Sequence, residues 1–214
     1  MYIPKQFHLN DTHALIETMR QIRLAALVIS AQDQLMSTQI PFLVKNEGEN
    51  IVLEGHVSRS NQLWQHALPD NKALVIFQGV HAYIHPGWYP TKKIDGRVVP
   101  TWNYEAIHCS GSIVYQDSKE WILKHVEELT NEMESTQETP WRISDAPEEY
   151  IKAAAQGIVG LRFKVDKIEG VVKMNQHHSI DNRLGAIEGL SKSHRSNDQK
   201  VAQVMKKLER FKLK

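Results

Sequence analysis

The sequence is short of several things, and each shortage narrows what the chain can be. It holds one cysteine, Cys109, in 214 residues. A single thiol cannot close an internal disulfide or build a Cys-rich zinc site, and such usage suits a reducing compartment. Neither sign of charge prevails: the formal net charge is +1. A nearly neutral chain has no global pull toward nucleic acid or an anionic membrane, although a local basic patch can still act. No apolar run approaches the roughly 20 residues of a membrane span, and the opening MYIPKQFHLND lacks the apolar stretch of a secretory signal. The expectation is a cytoplasmic protein with no membrane partner. Signatures of chemistry are missing too. There is no HxH, HExxH or GxSxG, and His177 and His178 are adjacent, so on an extended chain they point apart. No protein-bound metal is expected. Cys109 and His108 face opposite sides of a strand and cannot pair as nucleophile and base without a bulge. No residue is assigned a catalytic role, and an enzyme is the weaker expectation.

What is present is an ordinary globular composition, 41% hydrophobic and 24% charged, enough for a core. Asn10-Asp11 can cap a helix running to Arg20. Leu24 to Ile29 reads as a buried strand, Ala31 to Gln34 as a turn, and Met36 to Val44 as a second strand broken at Pro41. Ile51 to His56 makes a third strand. A short helix over Gln62 to Ala67 follows, then strands Ala73–Phe77 and Val80–His85, split at Gly79. Pro86 to Pro100 is a loop long enough to suggest function. Trp102 to Tyr115 is a long strand, and Asp117 or Ser118 caps a helix reaching Met133. Pro147 opens a helix ending at Ala155, and Ile158 to Lys173 is a strand with a bend at Asp166-Lys167. Short strands separated by polar turns predict a mainly β fold with helices, a meander closing into a barrel. Residues 1–190 would form this domain, 191–197 a linker, and 198–214 a basic helix with Val201, Val204, Met205, Leu208 and Phe211 on its apolar face.

Three places can carry ligand chemistry. At Gly55-His56-Val57-Ser58-Arg59-Ser60-Asn61 a strand passes to a helix through small polar residues and an arginine. Backbone N–H groups at a helix start favour an anion, and Arg grips phosphate in bidentate fashion; a plain cap with a surface Arg is the simpler alternative. Trp102 and Tyr104 share a strand face and either fill the core, the commoner fate of aromatics, or stack on a planar ring. Asn103 and Glu105 then face the other way. Lys173 to His178 closes the last strand as a polar exit or a phosphate contact. A haem held by one His leaves no spacing signature and stays open as an alternative.

Together these blocks resemble the PaiB family of negative transcriptional regulators, also described as FMN-binding. The resemblance is carried by Met1-Tyr2-Ile3-Pro4…Phe7, by Gly55-His56…Arg59…Asn61…Trp64, and by Phe77-Gln78-Gly79-Val80-His81-Ala82-Tyr83-Ile84-His85-Pro86-Gly87-Trp88-Tyr89. It continues through Val99-Pro100-Thr101-Trp102-Asn103-Tyr104…His108 and Glu169-Gly170…Lys173-Met174-Asn175-Gln176. It covers the chain to about Leu190. It implies a split β-barrel of the flavin-reductase and pyridoxamine-oxidase type, a homodimer, FMN at the subunit interface, and DNA as a partner. Carried onto this chain, the cofactor residues would be His56, Arg59, Ser60, Asn61, Trp102, Asn103, His108, Lys173 and Gln176. Where the family has Ser and Asn, this chain has Asn175 and His177, so those two positions inherit no role. Two other functions remain alternatives: a flavin- or haem-binding redox or sensing protein, and an interaction module whose cofactor site has decayed. For DNA, no helix-turn-helix signature is present, and the basic C-terminal helix is the only electrostatic footprint.

Overall fold

The computed structural model describes residues 1–31, 34–66 and 72–212, with only the backbone of 210–212. Parts of the turn expected at Ala31 to Gln34, and the end of the short helix at Ala67, lie outside the described residues. The chain builds β1 (His8–Leu9), α1 (Thr12–Ile22), β2 (Leu24–Ala31), β3 (Gln34–Pro41), β4 (Leu43–Glu47), β5 (Asn50–Ser58) and β6 (Lys72–Ile84). Then come β7 (Thr101–Gln116), α2 (Lys119–Glu134), α3 (Glu148–Gln156), β8 (Ile158–Lys173), α4 (Ile180–Ser191) and α5 (Ser196–Lys212). The strands form one sheet in the order β3-β2-β6-β7-β8-β5-β4, with β1 added on β8. β2 pairs antiparallel with both β3 and β6, and β5 with both β4 and β8. Among the described residues no helix is long and apolar enough to cross a membrane.

The chain folds as two compact units. The first holds Met1–Leu15, Gln78–Ile107 and Glu169–Lys214; the second holds Ile16–Phe77 and His108–Ile168.

In the first unit, Ala82, Ile84, Tyr89, Met174, Ala186, Leu190, Val201 and Met205 form a buried cluster. This buries the apolar side of α5, as the spacing of Val201 and Met205 implies. The linker expected at 191–197 narrows to 192–195, because α4 continues to Ser191 and α5 begins at Ser196. The sequence reading passed over α4 altogether. Two glycines lower its helix propensity, and both serve close approach. A Cβ at Gly189 would meet the Trp88 ring at 2.3 Å, and one at Gly185 would meet the Trp88 carbonyl oxygen at 2.1 Å. Ser179 caps the helix by accepting the Asn182 N–H.

In the second unit, α1 places Met19 in the core and ends at Arg23, which takes a left-handed φ of 61°. The Arg23 carbonyl then accepts the Phe42 N–H at 3.0 Å, fixing the break that Pro41 introduces between β3 and β4. Phe42, Leu53, Phe77, Leu161 and Phe163 are buried. Of the two candidate caps for α2, Ser118 is the cap and accepts the Trp121 N–H.

One expected interruption is absent. β6 runs unbroken through Gly79, where a Cβ would lie 2.2 Å from Glu105 Cγ. The glycine makes room for a neighbour and does not end the strand. β8 continues as one strand through Asp166-Lys167, where a bend was expected.

Candidate functional site

Of the nine residues expected to bind a cofactor, His56, Arg59, Ser60, Asn61 and His108 belong to the second unit. Trp102, Asn103, Lys173 and Gln176 belong to the first.

At the end of β5, Arg59 is heavily engaged. Its Nε donates to the Gln156 carbonyl at 2.9 Å, Nη2 donates to the Ile158 carbonyl at 3.2 Å, and Nη1 and Nη2 together clasp the Asp117 carboxylate. Of the five guanidinium N–H groups, one on Nη1 stays open. The pairing raises the Arg59 pKa and holds Asp117 below the usual carboxylate range. Trp64 donates its indole N–H to the Arg59 carbonyl and lies 5.9 Å from the guanidinium carbon. Ser60 and Ser58 share a hydroxyl hydrogen bond of 2.8 Å. Asn61 caps the following turn through the Leu63 N–H and donates to Thr38 Oγ1. A cavity of about 360 Å³ opens here, lined by Arg59, Asp117, Lys119, Ile122, Lys152 and Gln156.

His56 has another partner. Its Nδ1 lies 3.1 Å from Nε2 of His125, and His125 stacks on Trp121 with centroids 5.0 Å apart and planes 12° apart. His125 is 1% exposed. Burial, then the neighbouring His56 and Lys45, push its pKa down to about 4; burial also lowers that of His56. Trp121 fits because Gly160 lacks a Cβ, which would sit 2.0 Å from the indole. His108 is half-buried on β7. Neither His125 nor Asp117 was singled out for the site. Asp117 was visible as a cap candidate, whereas nothing in the spacing of His56 and His125 announces their meeting.

In the first unit the two faces of β7 are not sorted into a core face and an outer face. Trp102, more readily read as core, is 53% exposed, and Asn103 is fully buried. Trp102 stands beside two other rings on the surface, His81 at 6.2 Å and Tyr83 at 6.0 Å. Asn103 donates to the Met205 sulfur at 3.4 Å, and its Oδ1 has no hydrogen-bond partner among the described residues. The reason is α5, which packs its apolar side toward Asn103; two-residue alternation cannot say which face a distant helix will cover. Lys173 Nζ donates to Thr101 Oγ1 at 2.7 Å. Gln176 closes its own turn, accepting the Met174 N–H and donating to the Val172 carbonyl.

The two departures from the family pattern are structural. Asn175 takes a left-handed φ of 62°, which Asn tolerates better than most residues, and donates to the Tyr89 hydroxyl at 3.0 Å. Tyr89 stacks on His178 at 4.9 Å, and His177 meets Phe7 edge-on. The rings of His177 and His178 lie 4.2 Å apart. They do not diverge as an extended strand would make them, because β8 ends at Lys173 and the chain turns. Among the described residues no group of three or more His, Cys, Asp or Glu side chains could hold a metal ion.

The fold, a mainly antiparallel β sheet with several helices, is shared with solved structures. The chain is similar to the flavocytochrome Anf3 from Azotobacter vinelandii, with a TM-score of 0.60 at 8% identity, over 86% of this chain and 78% of that one. It is also similar to the FAD and heme binding protein from Mycobacterium smegmatis, with a TM-score of 0.57 at 13% identity, over 84% and 79%. Such identities speak for the fold alone. The sequence is more specific. The family described as "Putative FMN-binding domain" matches residues 1–167, and the chain belongs to that family. It is 27% identical over 205 residues, 96% of each chain, to the protease synthase and sporulation protein PAI 2 of Bacillus subtilis. The PaiB-family resemblance of its motifs therefore holds along the chain.

Proposed function

We propose that the protein binds flavin mononucleotide and acts, as a homodimer, as a PaiB-type regulator of gene expression. The observation that carries the flavin reading is the cavity beside Arg59. Arg59 and Lys119 line it beside the Asp117 carboxylate, while Lys152, also in the lining, is held by Glu148 and Glu149, so Arg59 and Lys119 supply the positive charge a phosphate group requires. The open Nη1 hydrogen of Arg59 and the Lys119 ammonium would take the phosphate oxygens. These side chains bind and orient, while a bound flavin would supply redox chemistry. Asn103 and Gln176 take no part as they stand, since both are engaged within the protein.

Regulation is supported by the PaiB-family resemblance of the motifs and by the likeness to a relative whose name ties it to protease synthesis and sporulation. On α5, Lys200, Lys206 and Lys207 are exposed while Val201 and Met205 are buried. This helix therefore keeps a cationic outer side for DNA while docked.

The test is an FMN titration of purified protein, read by absorbance and by flavin fluorescence. Saturable quenching is expected, weakened about tenfold or more by Arg59→Gln, as for loss of a charge-assisted hydrogen bond. Protein that leaves FMN fluorescence unchanged refutes the flavin reading. A Soret band in the protein as purified would instead identify haem. For DNA, binding should weaken with salt, and Lys206→Gln with Lys207→Gln should flatten that dependence.

A further inference from the structure

A larger cavity in the second unit shares Lys152 with the one beside Arg59 and is otherwise lined by other residues. It lies between α2, the strap of residues 135–147 and α3, and measures about 920 Å³, within the roughly 300–1,000 Å³ usual for small-molecule sites. Charged and polar groups at its wall include Glu127 and Asn131 from α2, Arg142 and Ser144 from the strap, and Glu148 and Lys152 from α3. Ile143 and Ile151 are shared with an adjoining apolar recess of about 220 Å³, lined also by Val126, Trp141, Ala155 and Ile158.

The strap is braced in place. The Glu134 carboxylate accepts the Trp141 N–H at 3.0 Å, and the Asp145 carboxylate accepts the Arg142 N–H at 2.8 Å. Trp141 nonetheless leaves much of its indole exposed, as does an apolar wall awaiting an occupant.

The charges at the wall select the occupant. Lys152 is engaged by Glu148 at 2.5 Å and Glu149 at 3.3 Å. Glu127 and Arg142 line the same cavity, and neither makes an ion pair among the described residues. They are opposite in sign. A simple carboxylate suits Arg142 but is repelled by Glu127, and a simple amine meets the reverse. A zwitterion satisfies both, and an apolar side chain then fills the recess, removing apolar surface from water. We propose that this cavity binds a small zwitterion with a large apolar side chain, namely a free apolar α-amino acid.

The full chain is titrated with L-phenylalanine and L-leucine, read by calorimetry and tryptophan fluorescence, with Trp141→Phe identifying the reporting indole. Saturable binding is expected. 3-Phenylpropionate, which lacks the amine, and phenethylamine, which lacks the carboxylate, should bind about tenfold or more weakly, the scale of one lost charged contact. Arg142→Gln should abolish the preference for phenylalanine over phenethylamine, and Glu127→Gln the preference over phenylpropionate. Both positions are exposed, so folding is retained, and FMN titration of Arg142→Gln should match the parent protein. Absence of saturable binding by both amino acids overturns the proposal. So does equal binding of all three phenyl compounds, or unchanged binding in both variants.

Discussion

At the scale of single residues, His125 shows how a buried imidazole ties stability to pH. Its folded pKa is about 4 against an ordinary 6.5, so between those values the unfolded chain binds more protons than the folded one. Stability from this group is complete above about pH 6.5 and falls as the pH drops toward 4. The difference of about 2.5 pKa units sets a loss of up to roughly 3 kcal/mol. Replacement by Phe keeps a ring on Trp121 and removes the titration. Thermal melts from pH 7 to pH 4.5 should therefore fall more gently for His125→Phe than for the parent. Parallel curves would show that the imidazole is not what acid attacks. Asn103 teaches the complementary lesson. Its motif was legible, and so was its strand, but its burial was not, because the helix that covers it lies about a hundred residues further along the chain.

At the scale of elements, most of the strands were readable because their apolar residues alternate or run together between polar turns. β2, β5 and β7 formed within a few residues of expectation, as did α1, α2 and α3. The failures both involve glycine. β6 was divided at Gly79, where glycine provides clearance and does not end the strand, and α4, which carries two glycines of the same kind, was given no reading. For Gly189 the competing effects can be ranked. Alanine would gain about 1 kcal/mol of helix propensity, but its methyl would sit 2.3 Å from a rigid indole, and such overpacking costs about 1–3 kcal/mol. Gly189→Ala should lower the melting temperature, and pairing it with Trp88→Leu should restore part of the loss. A Gly189→Ala protein as stable as the parent would show that Trp88 yields easily.

At the scale of the whole molecule, the family and fold were legible in the motif blocks, and the arrangement of the side chains was not. The motifs named Arg59 but could not show Asp117 clasping it, since that pair joins the end of β5 to the start of α2. They also gave no sign of the cavity between α2 and α3, whose lining comes from segments outside every motif.

The seat of Trp88 against Gly185 and Gly189 has one more consequence, for how the chain would be cut. Past this anchor the connection to β7 carries Lys92, Lys93 and Arg97, with Ile94 81% and Val99 73% exposed. A protease needs an accessible segment, and trypsin should nick this stretch early. The nick would leave Trp88 gripped on one side and β7 paired in the sheet on the other, so the two fragments should co-elute as one particle and separate only in denaturant. Fragments that part on native size exclusion would show that the grip of α4 on Trp88 is too weak to stand in for a peptide bond.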